Sequence, residues 1–573
     1  MSDKTTTQKG HPTGLWYLFG TEMWERFGYY LMLGIFALYM LDGWDNGGMG
    51  FDAAKKSDIY GTYLGLVYLT PFIGGLLADR VLGYRKSIIL GGLMMALGYF
   101  LLSVHDITSF FAGLFFIIMG NGFFKPNIST LVGNLYSTEE LKHKKDSGYN
   151  IFYMGINIGA FICNFVAAYM RINFGWGFAF IAAGVGMLIG VAIFLIGTKH
   201  IRHVDVVKPL QAGDMPTGKI LGSTILPMFV FGILGYLIPG NILGTDTNDA
   251  FIFGCVPVIA FFIYLWFKSS GLEKRSIAAL LAVFSCVILF FAIFHQNGDA
   301  LTVWAEDYTN REMPESVANV AEKVDMAQTV ENNDIVALDD AAFTAKIEEL
   351  RAEANAMPEK TKEEIAAKKA ASGRIAQHEA SRKYFSNKAP ENVPAKGENL
   401  KLYSTELYQS INPFWVILLT PVLVGVWGFL RKRGKEPSTP TKIALGLLIT
   451  ALSALVMVGA VYATNDLSMK ASSWWLIASY GVITLGELCL SPMGLSLVSK
   501  LSPPRITALM MGGFFLAISV GNKLAGMLSS LWEEMEHKEN FFYLNFGLVL
   551  GAALLLFLML KWLNRVMKEN NVY

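Results

Sequence analysis

Charged residues are scarce in this sequence. Lys, Arg, Asp and Glu make up 16% of its 573 residues, against about 25% in an ordinary soluble domain. Because 53% of the residues are hydrophobic, the composition excludes a soluble globular protein and predicts a polytopic membrane protein with most of its charge in loops. The formal net charge of +1 is uninformative, because in such a protein the distribution of charge matters more than its sum. Nothing in the sequence indicates nucleic-acid binding.

Cysteine is scarce too. Cys163, Cys255, Cys286 and Cys489 all lie in apolar segments, without the spacing of metal ligands or of a disulfide framework. We expect them to be small buried hydrophobes, and we expect no metal or other cofactor. Residues 1–14 are polar and lack the apolar core of a signal peptide, so the first apolar span would itself direct insertion.

Long apolar runs are abundant. Each membrane crossing needs about 20 mostly apolar residues, and this rule predicts roughly fourteen spans. They lie near residues 15–41, 58–79, 86–104, 109–134, 148–170, 175–197, 218–239, 250–267, 277–301, 410–430, 441–462, 474–499, 506–530 and 541–565.

Charge in the loops predicts the orientation. With the N-terminus in the cytoplasm, basic loops such as "DRVLGYRK", "LKHKKD" and "RKRGKEPSTPTK" all lie on the cytoplasmic side. The opposite side receives "LDGWDNGG", "GTDTND" and "EEMEHKEN". This asymmetry follows the positive-inside rule and places the C-terminus in the cytoplasm as well.

Segment 305–405 interrupts the apolar pattern. It is rich in Ala, Glu and Lys, has few bulky apolar residues, and is typical of charged helix. On the predicted topology it faces the periplasm. A solvated helical hairpin or a mobile insertion is the simpler interpretation, and a binding module is the alternative.

The two spans after residue 199 carry no acid or base within the membrane. Setting them aside leaves six spans on either side, which is the arrangement of major facilitator transporters. We therefore predict an all-α integral membrane protein of this fold, in five parts. These are a six-helix bundle (1–198), a linker with two additional membrane helices (199–275), the first helix of the second bundle (276–304), the insertion (305–405) and the rest of the second bundle (406–573).

The stretch "GGLLADRVLGYRK" joins the second and third spans. Its glycines allow helices to approach closely, and Asp79, Arg80, Arg85 and Lys86 can bind the cytoplasmic ends of helices. A merely positive loop would explain the bases, but neither Asp79 nor the glycine spacing. The stretch resembles a gating motif of the major facilitator superfamily.

Ionisable residues lie inside the first span, in "GTEMWERFGYY". On a helix, Glu22, Glu25, Arg26 and Tyr29 occupy positions i, i+3, i+4 and i+7 and share one face, with Tyr30 one residue further. Ionisable groups at membrane depth are costly and indicate a functional site. An internal Glu22–Arg26 ion pair is the structural alternative, but it leaves one acid free to accept a proton.

Two further charges occupy corresponding helices of the two halves. Lys125 lies in "GNGFFKPNIST" and Glu487 lies in "GELCLSPMGLSLVSK". An ion pair between helices is the structural interpretation. The functional interpretation is a site for a ligand with one negative and one positive end.

Four blocks resemble the proton-coupled oligopeptide transporter family: "TEMWERFGYY", "FYMGINIGA", "YQSINPFWVILLTPVLVGVW" and "GELCLSPMGLSLVSKLSPPR". The similarity extends over nearly the whole chain apart from 305–405. It implies a proton-driven importer of di- and tripeptides that works by alternating access. Such a protein would act as a monomer in a bacterial inner membrane and would not be an enzyme. Its partners would be small peptides, protons and the lipid bilayer, with the proton gradient as the driving force.

The resemblance also implies a role for each matching residue. Glu22, Glu25 and Arg26 would couple protons, and Arg26 with Lys125 would face the peptide carboxylate. The remaining roles are the cavity wall for Tyr29, Tyr30 and Tyr68, hydrogen bonds to the peptide backbone for Asn157 and Asn412, and contact with the peptide amino terminus for Glu487 and Ser491.

The sequence departs from the family in "FFAIFHQNGDAL", where His295 stands at a usually acidic position. An unperturbed imidazole titrates near ~6.5, so His295 could carry the proton, with Asp299 one turn on holding the imidazolium. Alternatively, His295 is only a polar cavity wall, and Glu22 with Glu25 carries coupling alone.

Three other functions stay open. One is a major facilitator carrier for another small anion or a drug-like solute, although the intramembrane acids argue against a simple anion carrier. Another is an intramembrane enzyme, but the sequence offers no His/Glu metal box and no Ser/Lys or Asp/Asp pair on adjacent spans. The third is a receptor whose working part is 305–405.

Overall fold

The computed structural model describes residues 10–142, 145–205, 218, 221–323, 326–358, 361–503 and 506–570. Within these residues, 11 helices are long and apolar enough to cross a membrane. The first two helices of the chain are also long, but they carry several charges. The protein is thus an all-α membrane protein, as its composition predicts.

The N-terminal half is a bundle around α1. Its helices are α1 (Thr13–Leu41), α2 (Ala53–Leu77), α3 (Tyr84–Leu102), α4 (Ile107–Leu135), α5 (Glu139–Lys142), α6 (Lys145–Phe174) and α7 (Trp176–Ile201). α1 packs against α6 and α7, α2 packs against α4, and α3 packs against α4 and α7. Their buried side chains form one hydrophobic core that extends from Leu15 to Val204.

Two helices outside this bundle follow, α8 (Leu226–Tyr236) and α9 (Asp246–Lys268). They pack against each other, and α9 also packs against α2 and against helices of the second half. Phe251 of α9 lies so close to Gly65 of α2 that a Cβ on Gly65 would be 2.7 Å from the phenyl ring. The helix pair therefore contacts both halves.

The predicted span at 277–301 is a broken helix. It consists of α10 (Gly271–Phe294), a 3-10 turn at His295–Gly298, and α11 (Ala300–Asp307). The break frees the carbonyl of Asn297, which accepts hydrogen bonds from Gln409 Nε2 at 2.8 Å and from the Tyr480 hydroxyl at 3.2 Å. Such partners are what a break inside a membrane requires, because no water satisfies the backbone there.

The insertion has its own small fold. Its elements are β1 (Thr309–Asn310), α12 (Glu315–Lys323), β2 (Gln328–Glu331), α13 (Asp340–Ala356), α14 (Lys362–Phe385) and β3 (Asn399–Leu402). α13 and α14 pack together around Ile347 and Ile375, which gives the helical hairpin that the composition suggests. β2 and β3 pair as an antiparallel ribbon, which the Ala-, Glu- and Lys-rich composition does not predict.

The C-terminal half closes around α10. Its remaining elements are α15 (Ile411–Lys432), α16 (Thr439–Ala463), β4 (Ala471–Ser472), α17 (Ser473–Leu501), α18 (Thr507–Glu534) and α19 (Lys538–Glu569). α16 packs against α17 and α19, and α10 packs against α18 and α19. Their buried side chains, with those of α9, form a second hydrophobic core that extends from Phe251 to Met567.

The two halves meet where α2 packs against α18 and α6 packs against α15. Gly61 of α2 faces Gly526 of α18 so closely that a Cβ on Gly61 would lie 2.9 Å from the Gly526 Cα. This crossing lies toward the end of the bundle that bears the insertion, which we call the insertion end.

Ion pairs between the halves gather at the insertion end. Three such pairs are present among the described residues: Lys56–Asp299, Asp58–Lys523 and Arg171–Glu406. None of their side chains is more than 18% exposed. Among the residues that the structure describes, every ion pair between the two halves lies at this end, so the halves are closed there.

Candidate substrate site between the two halves

Arg26 is the centre of the ionic cluster on α1. Its guanidinium makes two bonds to the Glu25 carboxylate, one of them 2.5 Å from Nη2 to Oε1, and its Nε lies 3.6 Å from Glu22. All three side chains are at most 3% exposed. Glu22 Oε2 has no hydrogen-bond partner within the described residues. Glu25 therefore forms the bidentate ion pair with Arg26, and Glu22 keeps one carboxylate oxygen without a partner among the described residues.

The same guanidinium binds Asn121 of α4, which is itself bound to α2. Arg26 Nη2 lies 3.3 Å from Asn121 Oδ1 on α4, and Asn121 Nδ2 donates to the Val67 carbonyl on α2 at 2.9 Å. The ring centres of Tyr29 and Tyr30 lie 4.7 Å and 5.9 Å from the guanidinium carbon. Sequence reasoning missed Asn121, although a buried amide in the Lys125 stretch was a signal.

Lys125 and His295 both contact Tyr68. The Lys125 ammonium lies 4.4 Å from the centre of the Tyr68 ring, and the Tyr68 and His295 rings are 5.7 Å apart. Phe291 stacks on the imidazole at 5.8 Å. His295 Nε2 is buried and has no hydrogen-bond partner in the described part of the chain. The structure thus brings together residues from α2, α4 and the break after α10.

Glu487 is held by an amide from the neighbouring helix. Asn412 Nδ2 on α15 donates to Glu487 Oε2 at 3.2 Å and to Thr484 Oγ1 at 2.8 Å on α17. Ser491 lies one turn further along α17 and is half-buried. Asn157 is placed differently, because its amide donates to the Tyr153 carbonyl of its own helix at 3.0 Å.

Asp299 pairs with Lys56, not with His295. The carboxylate accepts a bond from the Lys56 ammonium, and the two side chains are 0% and 4% exposed. The expectation that Asp299 lies one turn from His295 assumed a continuous helix. The 3-10 turn ends between them, and Asp299 takes φ −124° and ψ −91°, which removes the i, i+4 relation. The geometry therefore gives no support to Asp299 as the partner of an imidazolium.

The stretch predicted to be a gating motif is only partly within the described residues. Its backbone forms the π-helical turn Ala78–Leu82, while the side chains of Asp79 and Arg80 lie outside the described residues. Gly83 has φ 78° where α3 begins, a conformation that favours glycine. Lys86 is exposed.

Asp205, which sequence reasoning did not select, completes this turn. Its Oδ1 accepts from the backbone N–H groups of Tyr84 and Arg85 at 2.9 Å and 3.3 Å, and its Oδ2 lies 3.9 Å from the Arg85 guanidinium. Because the first N–H groups of a helix have no partner within the helix, Asp205 caps α3 and ties it to the segment after α7.

Two helical bundles with charges buried where they meet define a membrane transporter of the major facilitator type. A sequence model of the POT family matches residues 85–328 and 391–544. The chain therefore belongs to the POT family. The relatives and solved structures that it matches are transporters and not enzymes. The unmatched residues between these ranges lie within the insertion.

Similarity to individual proteins extends over almost the full length. The chain is 29% identical over 575 aligned residues to a di-/tripeptide transporter of Lactococcus lactis, covering 97% of each chain. It is 25% identical to dipeptide and tripeptide permease A of Escherichia coli, covering 91% of this chain and 84% of the relative.

Two solved structures share the fold over almost the full length of the chain. A peptide transporter of the POT family in complex with sulfate is 28% identical, with a TM-score of 0.73 and coverage of 98% of this chain and 97% of the other. A mutant of a POT peptide transporter in complex with alafosfalin is 27% identical, with a TM-score of 0.72 and the same coverage.

Proposed function

We propose that this chain imports di- and tripeptides together with protons across a bacterial inner membrane, by alternating access. The observation that carries the proposal is the distribution of charge where the halves meet. Arg26 and Lys125 lie on the N-terminal half, and Glu487 lies on the C-terminal half. A peptide zwitterion has complementary charges at its two ends.

The peptide carboxylate would face Arg26 and Lys125, and the amino terminus would face Glu487. Of the two bases, Arg26 is already paired with Glu25. Lys125, whose ammonium contacts the Tyr68 ring, is therefore the cation that would bind the carboxylate. Asn412 orients Glu487 and leaves the other carboxylate oxygen for the ligand. Binding would draw the halves together, because each end of the ligand is attracted by a different half.

The sidedness of the proposal rests on loop charge. The insertion end would face the periplasm, and the basic loops would face the cytoplasm. With the halves joined by ion pairs at the insertion end, the conformation would be closed to the periplasm. Both chain termini would then lie in the cytoplasm.

Proton coupling would use Glu22. Its unpaired carboxylate oxygen can accept a proton without breaking the Arg26–Glu25 pair. Inward movement of one charge through the membrane potential releases ~2.3 kcal/mol per 100 mV. His295 would be a second candidate for the proton, because its Nε2 also lacks a partner in the described residues.

Uptake into proteoliposomes tests the proposal. We expect an inward proton gradient to drive concentrative uptake of labelled dipeptide, and we expect unlabelled di- and tripeptides to compete while free amino acids and nitrate do not. Competition by nitrate or a drug-like anion alone would instead identify a carrier for another solute. Uptake that is indifferent to a protonophore would contradict coupling.

A further inference from the structure

The insertion is carried by the C-terminal half. β1, at its start, pairs in parallel with β4, which lies directly before α17. Lys383 of α14 forms an ion pair of 2.6 Å with Asp307 at the end of α11, and Asn387 donates to the Asp307 carbonyl at 3.0 Å. The insertion must therefore move with the C-terminal half.

The insertion also reaches the N-terminal half, at the loop between α1 and α2. Arg351 of α13 binds Glu379 of α14 at 2.6 Å, and this pair faces the loop. The Arg351 guanidinium lies 3.6 Å from the Asp45 carboxylate, and Asn46 Nδ2 donates to Glu379 Oε2 at 3.2 Å. Two side chains of one half thus contact two side chains carried by the other.

This contact is local. A cavity of about 1190 Å³ lies between the insertion and the helix ends, lined by residues that include Asp42, Arg171, Glu306 and Lys383. The insertion therefore arches over the closed end without filling it.

The contact can also break and re-form, because its side chains are partly exposed. The side chains of Asp45, Arg351 and Glu379 are 54%, 32% and 28% exposed, and partly exposed ion pairs are weak and screened by salt. The side chains of the three pairs between the halves are at most 18% exposed. An exposed contact across the junction can form and break in each cycle.

We propose that the insertion is a latch. Arg351 and Glu379 bind Asp45 and Asn46 when the halves are closed at the insertion end, and these contacts break when the halves separate. The latch stabilises this closed conformation and so slows the step that reopens that end. It rests on the proposed function only in assuming alternating access.

A disulfide across the latch tests whether it must open. In the double variant Asn46→Cys with Glu379→Cys, oxidation should abolish uptake and a reductant should restore it, while each single variant transports normally. The matched control is Lys346→Cys with Glu349→Cys, whose side chains pair within α13 and should leave uptake unchanged. Normal uptake by protein cross-linked at these two positions, whether by direct oxidation or by a short reducible bifunctional thiol reagent, would overturn the latch.

A distance measurement tests the latch without substrate or gradient. Spin labels at Val104 and Ala463, exposed positions near the insertion ends of α3 and α16, report the separation of the halves. The four native cysteines are buried and should not label. Arg351→Ala should raise the population of separated halves about two- to five-fold, as expected for a partly exposed pair.

Lys346→Ala is the control for this substitution, because it removes a cation of α13 that pairs within the helix. Identical distance distributions for Arg351→Ala and wild type would contradict the latch. Because this readout needs no transport, a protein that failed to import peptides could still pass it, so the two proposals fail separately.

Discussion

Lys56 and Asp299 form an ion pair that joins the two halves, and both side chains are almost completely buried. Lys56 lies in the first turn of α2, and Asp299 lies at the break between α10 and α11. Removing one partner would leave an unpaired buried charge. This pair, and not a contact with His295, accounts for the position of Asp299.

We expect Lys56→Met to lower the free energy of unfolding by about 3–5 kcal/mol, the usual cost of breaking a buried pair from one side. Replacing Asp299 by Leu as well should recover much of that loss, because no buried charge remains. Lys55→Met is the control, since Lys55 is exposed. Denaturant unfolding of the purified proteins checks this, and equal losses for Lys55→Met and Lys56→Met would contradict it.

Glu22 and Glu25 should differ when each is replaced by Gln. Glu25 makes the two-pronged bond to Arg26, so Glu25→Gln should destabilise the fold by about 3–5 kcal/mol. Glu22→Gln should keep the fold and peptide counterflow, which needs no net proton movement, and lose acid-driven accumulation. Unfolding and the two flux assays are measured on the same preparations. Loss of counterflow in folded Glu22→Gln protein would favour a structural role.

Glu487 should recognise the peptide amine. We expect Glu487→Gln to weaken binding of a free-amine dipeptide by about 1.5–3 kcal/mol, the value of a hydrogen bond to a charged group. The same substitution should hardly change binding of the N-acetylated dipeptide. Isothermal titration of both ligands checks this. Equal losses for the two peptides would assign Glu487 to the fold or to protons.

His295 shares Tyr68 with Lys125, so a peptide carboxylate at Lys125 would offset the repulsion between the ammonium and an imidazolium. We expect His295→Gln to lose the acid-stimulated part of uptake, and His295→Glu to recover some of it with a shifted pH optimum. Initial rates are measured against external pH for the three proteins. A Gln variant whose pH profile overlays the wild type would leave His295 as a cavity wall.

The fold and the two ends of the site were predictable because they depend on local patterns. Apolar runs predict the helices, and the motifs around Glu22, Lys125 and Glu487 predict a charged interface. Which acid binds Arg26 depends on side-chain conformations that spacing does not determine. Glu25 is adjacent to Arg26 in sequence, yet its carboxylate lies closer to the guanidinium than the Glu22 carboxylate does.

The partner of Asp299 was not predictable for a different reason. The predicted span that holds His295 breaks at residues 295–299, and the break is stabilised by Gln409 and Tyr480 from distant parts of the chain. The same holds for Asp205, whose helix cap joins segments far apart in sequence. Contacts of this kind need the tertiary structure.

A binding cycle between the peptide carboxylate and Lys125 tests the proposed substrate site most directly. Affinities of a dipeptide and of its C-terminal amide are measured for wild type and for Lys125→Ala. In wild type, amidation should weaken binding by about 1.5–3 kcal/mol, or about 10- to 150-fold in Kd. In Lys125→Ala, which already binds the dipeptide weakly, amidation should weaken binding only slightly further. An equal loss on amidation in both proteins would contradict a carboxylate site at Lys125.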